Sequence, residues 1–394
     1  MSDIEIKYKG KGKREKGKEE IKCHCEGANN LTSTKERLCH CEEGKPDEAI
    51  QKENLSTVRP FDLLTLTSLL DSKSCFKLIC GAGNENLDEV EKLVALYSAA
   101  GCHFFDLSAN EEVLAAAQRG LDFSIPKNGQ NGAQKDYHFC ISIGTKNDVH
   151  VQKAQIDAEK CIACGKCVEV CLQKAVKEIG NRKWEIDKRN CIGCLKCKAV
   201  CNFDAIAIIF PTLHYTFSPS IPYSLFPISC IELHASDTNE AEVDEIWSEL
   251  QNFEGMLSLC IGREKLSNEK VLSRIKRLIK DREPYTTIIQ ADGSPMSGGE
   301  DDFKTTLQSV AMAEVIQGVN GANLPVYILL SGGTNSKTAE LAKLCGVNFH
   351  GIAAGSYARK IVKKYIERED FFENKIIFEE ASKIAKIFIQ STKL

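Results

Sequence analysis

Eight cysteines in one repeated spacing carry the clearest chemistry in the chain. Residues 161–171 read CIACGKCVEVC and residues 191–201 read CIGCLKCKAVC, so Cys-x2-Cys-x2-Cys-x3-Cys occurs twice. In such a run the first three thiolates wrap one iron–sulfur cubane, while the fourth, one helical turn on, reaches its neighbour. The spacing therefore predicts two [4Fe-4S] clusters, the first on Cys161, Cys164, Cys167 and Cys201 and the second on Cys191, Cys194, Cys197 and Cys171. Ile162, Ala163, Gly165, Val170, Ile192, Gly193 and Val200 are small or apolar, which permits tight wrapping and keeps the clusters dry. The proline that usually follows the fourth cysteine is replaced by Leu172 and Asn202, a change to the turn and not to the ligand set. Zinc on the same thiolates is the competing reading, but zinc needs four ligands and has no use for eight in a symmetrical pair.

Polar residues at the ends of apolar runs form a second group. Ser331-Gly332-Gly333-Thr334-Asn335 closes one run, and Ala354-Gly355-Ser356 closes another just before a helical segment that includes Arg359. Backbone N–H groups at such turns hold phosphate, and an arginine adds a charge-assisted hydrogen bond. Ser331, Gly332, Gly333, Gly355, Ser356 and Arg359 are thus a candidate site for FMN or another phosphate-bearing ligand; the alternative is that the glycines serve only tight turns. The loop Asp292-Gly293-Ser294-Pro295-Met296-Ser297-Gly298-Gly299 is long and polar, as functional loops are. Glu232 with His234, and Gln290 with Asp292, share a strand face by their two-residue spacing. Either pair is a candidate for acid–base work or for the polar filling of a barrel layer. Cysteines 75, 80, 102, 140, 230, 260 and 345 read as small core residues.

The elements that must position these groups follow from periodicity. Apolar runs at 76–80, 103–108, 137–144, 228–233, 256–262, 286–291, 326–332 and 349–355 read as eight buried strands. Between them lie amphipathic segments such as LDEVEKLVALYSAAG and EEVLAAAQRGL, each with a glycine suited to a helix C-terminus. Eight strand–helix units predict an α/β fold, a (β/α)8 TIM-like barrel, with a doubly wound open sheet as the alternative. The cysteine-rich segment interrupts the third crossover. The expected organisation is therefore barrel over 60–152, an inserted α+β ferredoxin-like dicluster module over 153–212, and barrel again over 213–394. Loops that follow barrel strands lie at the C-terminal face, so the clusters are expected to overhang the barrel mouth.

Composition narrows the class. The chain has 394 residues, 43% of them hydrophobic, and a formal net charge of −4, so no global basic field draws it to nucleic acid. Its 19 cysteines follow no apolar signal region and no run long enough to span a membrane, which points to a soluble, cytoplasmic protein without stable membrane insertion. Residues 1–55 are charged and aperiodic and are expected to be disordered. Cys23-His24-Cys25 and Cys39-His40-Cys41 within them lack the Cys-x2-Cys geometry of structural zinc sites.

With the two cysteine motifs in place, FKLICGAGNENLDEV (76–90), AAGCHFFDLSANEEVLAAA (99–117), QADGSPMSGGEDDFKTTLQSVA (290–311) and GIAAGSYARKIV (351–362) make the chain from about Phe61 onward similar to the cyanobacterial light-dependent period (LdpA) family. That resemblance implies an iron–sulfur input component of the circadian clock, one that senses redox state as a proxy for light. It also implies association with clock proteins and with redox carriers, quinone or ferredoxin-like. By position only the eight cysteines carry over, and no catalytic residue does. The alternative is a barrel oxidoreductase that uses the clusters as an electron relay to a phosphate-bearing cofactor.

Overall fold

The computed structural model describes residues 60–124, 137–145, 148, 152–180, 183–209, 226–236, 238–263, 265–293, 299–318 and 324–393. The expected disordered extension and its Cys-His-Cys units lie outside them. Each of the eight apolar runs forms a strand: β1 (Cys75–Ile79), β2 (Phe104–Ser108), β3 (His138–Gly144), β8 (Ile228–His234), β9 (Met256–Gly262), β10 (Thr287–Asp292), β11 (Tyr327–Ser331) and β12 (Gly351–Ala354). They pair in parallel in that order, and β12 returns to β1 to close the barrel. Strands sealed on both faces must be apolar almost throughout, which is why the runs lack alternation.

The outer helices are α2 (Leu87–Ala99), α3 (Glu111–Ser124), α6 (Glu240–Leu250), α7 (Asn268–Leu278), α8 (Phe303–Gln317), α9 (Thr338–Leu344), α10 (Ser356–Ile366) and α11 (Lys375–Ser391). Asn86, Asn239, Ser267, Asp302 and Asn374 begin five of them, each accepting a backbone N–H three residues on. Gly101 follows α2 at φ +100°, as expected of a helix-ending glycine. Gly120 departs from that expectation: it sits inside α3, where a Cβ would collide with the Glu91 carbonyl of α2. Its absence of a side chain lets the two helices pack closely.

One element went unread in the sequence. Helix α1 (Pro60–Asp71) stoppers the N-terminal end of the barrel, with Leu66 and Leu70 packed on Cys75, Phe104, Cys140, Cys230, Met256, Ile288, Tyr327 and Leu329. Above this apolar floor lies a buried polar layer that includes Lys77, Asp106, Ser142, Glu232, Ser258 and Gln290. Six of the seven cysteines read as core are buried, but Cys345, at the end of α9, is exposed. Its place just beyond a short helix, outside any strand, explains the difference.

Between β3 and β8 the chain builds a small module from β4 (Lys153–Ile156), α4 (Lys166–Glu169), β5 (Val176–Glu178), β6 (Trp184–Ile186), α5 (Lys196–Ala199) and β7 (Ile206–Ile209). Strand β4 pairs antiparallel with β7, and β5 with β6. These strands form no ladder with the barrel. No described helix is long and apolar enough to cross a membrane.

Candidate iron–sulfur centre and barrel mouth

The module is an internal two-fold repeat with an offset of 30 residues, and its backbone keeps that offset in detail. Left-handed residues occur at Ala163, Gly165 and Lys174 in the first half and at Gly193, Leu195 and Asp204 in the second. Turning the chain twice between successive cysteines is what directs three neighbouring thiols toward one centre. Two of the six positions are glycine, which adopts this conformation without steric cost.

The thiols gather in two groups, each drawn from both motifs. Cys161, Cys164, Cys167 and Cys201 surround a small cavity whose remaining wall includes Ile162, Trp184, Phe203 and Ile206. Cys171, Cys191, Cys194 and Cys197 border a larger cavity of about 600 Å³ that opens between the module and the barrel. Backbone amides already point at sulfur: Ala175 N donates to Cys171 Sγ at 3.3 Å, and Ala154 N donates to Cys191 Sγ at 3.5 Å. All described cysteines are free thiols. Four thiols per cavity, with N–H donors to sulfur and apolar walls, fit the needs of a [4Fe-4S] cluster.

The second group is the one that faces the barrel, through specific contacts. Gln152 Nε2 donates to Gly193 O at 2.9 Å, and Lys153 Nζ donates to Cys191 O at 2.7 Å and to Gly83 O in the loop after β1. Asn86 Nδ2 donates to Asn190 Oδ1 at 2.7 Å, and Lys363 Nζ of α10 donates to Leu172 O at 3.2 Å. Ile192, beside Cys191, lines the barrel mouth itself. The first group faces away, with Cys164 exposed and Ile162 and Phe203 exposed beside it.

The mouth is a cavity of about 120 Å³ at the C-terminal ends of the strands. Ser331, Gly332, Gly333, Gly355, Ser356 and Arg359 all line it, together with Asp106, Glu232, His234, Cys260, Gln290 and Asp292. Gly332 and Gly333 have φ of +74° and +82°, and a Cβ on Gly332 would overlap Asp292 and the Gly293 amide, so here the glycine is required by close approach. Arg359 is held on the protein's own groups: its Nε lies 2.6 Å from Glu89 Oε1, and Nη2 donates to Cys80 O at 2.9 Å. Residues 294–298 of the polar loop after β10 lie outside the described residues.

Glu232 and His234 do share the inner face of β8, and the neighbours that matter most were not read in the sequence. Lys77 Nζ sits 2.8 Å from Asp106 Oδ2 and 2.7 Å from Glu232 Oε2, and donates to Gln290 Oε1 at 3.0 Å. Burial opposes its charge, but Asp106 foremost, with help from Glu232, raises the ammonium well above its ordinary range. The two carboxylates divide unequally. For Glu232 burial is outweighed by Lys77 and then by His234, which hold it below the usual range; for Asp106 burial prevails over Lys77 and the carboxyl is raised. A lone lysine in the run FKLIC and a lone aspartate in HFFDLS were the available signals.

Comparison with known proteins agrees with this division of the chain. The family described as "4Fe-4S dicluster domain" matches residues 154–208, and the family described as "Light dependent period A C-terminal domain" matches residues 224–392. The chain is 27% identical over 328 residues to Light dependent period A of Synechococcus elongatus, covering 74% of this chain and 82% of that protein. Among solved structures, dihydrodipicolinate synthase from Oceanobacillus iheyensis covers 80% of this chain and 79% of its own at 9% identity and a TM-score of 0.34. Ribulose-1,5-bisphosphate carboxylase/oxygenase from Pyrococcus horikoshii covers 79% of this chain and 62% of its own at 9% identity and a TM-score of 0.37. The cysteine module, the barrel that carries it and the Synechococcus relative together make this chain an iron–sulfur protein of the Light dependent period A type.

Proposed function

We propose that the protein is a redox sensor that binds two [4Fe-4S] clusters and passes its state to protein partners as a light or redox input to a circadian clock. The observation that carries this reading is the sorting of eight thiols into two quartets, each taking three cysteines from one motif and the fourth from the other. Cys161, Cys164, Cys167 and Cys201 would hold the outward cluster, and Cys191, Cys194, Cys197 and Cys171 the inward one. A bound cluster supplies one-electron chemistry at a potential set by amide donors and burial. The chain's own residues shape its access. Ile162 and Phe203 offer an apolar rim where a redox carrier, quinone or ferredoxin-like, can approach the outward quartet. Lys153, Gln152, Asn86 and Lys363 tie the inward quartet to the barrel loops, so a change there reaches the surface that clock proteins would read. The cytoplasm is the compartment in which free thiols and such carriers coexist.

A second reading is favoured by one observation, the presence of Ile192 in the wall of the barrel mouth. There the inward cluster would relay electrons to a ligand held by Ser331, Gly332, Gly333, Gly355 and Ser356, and the protein would be an oxidoreductase. The volume of about 120 Å³ favours a small phosphate-bearing ligand over a whole FMN.

Anaerobic iron and sulfide analysis tests the first reading, with about eight of each per chain expected. EPR of the dithionite-reduced protein is expected to show two interacting paramagnets. Zinc with no acid-labile sulfide would end the proposal. Releasable flavin, or a phosphorylated compound retained through purification, would transfer support to the second reading.

A further inference from the structure

We infer that Glu232, His234 and Cys260 form a mononuclear site for a divalent transition-metal ion at the barrel mouth, distinct from the two thiol quartets. The register sets it up. β8 and β9 pair with His234 beside Cys260 and Glu232 beside Ser258, so parallel neighbours bring an imidazole, a carboxylate and a thiol to one inner face. Their ligand atoms all lie within 4.8 Å of one another, all three residues are buried, and all three line the same cavity.

The spacing accommodates an ion. His234 Nε2 stands 3.5 Å from Glu232 Oε1. Two atoms each about 2.05 Å from a tetrahedral ion are separated by about 3.4 Å. The carboxylate is prepared for that role: Oε2 takes Lys77 and Ser258, while Oε1 accepts from Gln290 Nε2 at 2.9 Å and faces His234. A mixed N, O, S set with three protein ligands on a cavity is the pattern of an open zinc-type site, its fourth position left for water or a small oxygen ligand.

A second observation, independent of the triad, shows that the histidine is aimed. Asp148 Oδ2 lies 2.6 Å from His234 Nδ1, so the ring presents Nε2 inward, as the carboxylate behind a metal-bound histidine makes it do. That contact was built at the expense of a side chain. Gly144 pairs with His234 across β3 and β8, and a Cβ there would overlap the Asp148 carboxylate.

The test uses the full-length, cluster-replete protein and Zn²⁺ itself as the probe. After anaerobic exposure to zinc and dialysis against a weak chelator, the wild type is expected to retain one zinc equivalent that Cys260→Ser lacks. Its zinc-edge X-ray absorption is expected to show a single sulfur among nitrogen and oxygen neighbours. Asp148→Asn keeps all three ligands and should weaken retention by about 10- to 100-fold. Iron and sulfide measured on the same samples separate this site from the clusters. Zinc retained equally by Cys260→Ser and Asp148→Asn, a four-sulfur shell, or no stoichiometric zinc in the wild type would overturn the assignment.

Discussion

Lys77 brings one positive charge into a sealed layer that holds two carboxylates, and every partner it has is equally buried. Removing it would leave Asp106 and Glu232 facing each other without water. Lys77→Met is therefore expected to cost about 3–5 kcal/mol, read from denaturant melts. Asp106→Asn in the same background should recover part of that loss, because it removes the carboxyl whose charge burial already disfavours. A double variant no more stable than the single one would show that the layer does not work through charge. Nearer the surface, Arg274 is fully buried and rests on Glu240 of α6, with Nε donating at 3.1 Å. Hydrogen bonding from Arg274, ahead of that from Arg277, holds the Glu240 carboxyl below its ordinary value of 4.5. A depressed carboxyl stabilises above its unfolded value and loses that contribution as pH falls through the folded one. Glu240 is partly exposed, so Glu240→Gln is expected to cost only about 1 kcal/mol at pH 7, with the difference from wild type shrinking as pH falls below the unfolded value and vanishing below the folded one. Melts at a series of pH values check this; a gap that widened toward acid would contradict it.

At the scale of elements, the two cluster loops share one backbone but stand in different surroundings. Gly165 and Gly193 both have positive φ, yet a Cβ on Gly165 meets nothing, whereas one on Gly193 would overlap the Gln152 carbonyl. Gly165→Ala should therefore carry only left-handed strain, about 1–2 kcal/mol, and keep its iron. Gly193→Ala adds a collision with backbone at the joint between module and barrel, and is expected to lower iron content and broaden the reduced EPR spectrum. Equal behaviour of the two variants would mean that the joint is loose. This contrast also marks what could be read from the sequence. The ligand spacing was legible because it is local, and the eight strands were legible because a parallel strand buried on both faces writes a continuous apolar run. Helix α1 escaped notice because PFDLLTLTSLLD is apolar around most of its circumference, as a plug against a barrel floor must be, and so shows no amphipathic period. Lys77, Asp106, Asp148 and Cys260 escaped because each takes its meaning from a partner in another strand or loop, and register across a barrel is not written in any one segment. Arg359 was read as an anion holder from its position alone; the Glu89 that occupies it lies on α2, far away in sequence.

For the molecule as a whole, the decisive fact is that the barrel closes without the module. β3 pairs directly with β8 across the insertion, and the ladder from β1 round to β12 contains no module strand. The barrel also owns nearly all of the apolar core. The module's buried apolar set is Ala154, Ala175, Val176, Ile186, Cys191 and Ile206, with Cys167, Cys171, Cys197 and Cys201 packed against it. A unit of roughly 60 residues with so small a core is marginal unless a staple holds it. Its ligands are that staple, since a group that binds only the folded form contributes its binding free energy to folding. Removing iron anaerobically with an oxidant and a chelator should therefore unfold the module and spare the barrel. Limited proteolysis is expected to cut within residues 153–209, while far-UV circular dichroism keeps its helical signal and the main thermal transition stays cooperative. The loop after β1 would lose Lys153 from Gly83 and Asn190 from Asn86, and helix α10 would lose Leu172 from Lys363, so hydrogen exchange should rise there and not at the floor beneath Leu66 and Leu70. If the main transition disappeared along with the iron, the barrel would depend on the module for its own stability, and the dependence would run from module to barrel.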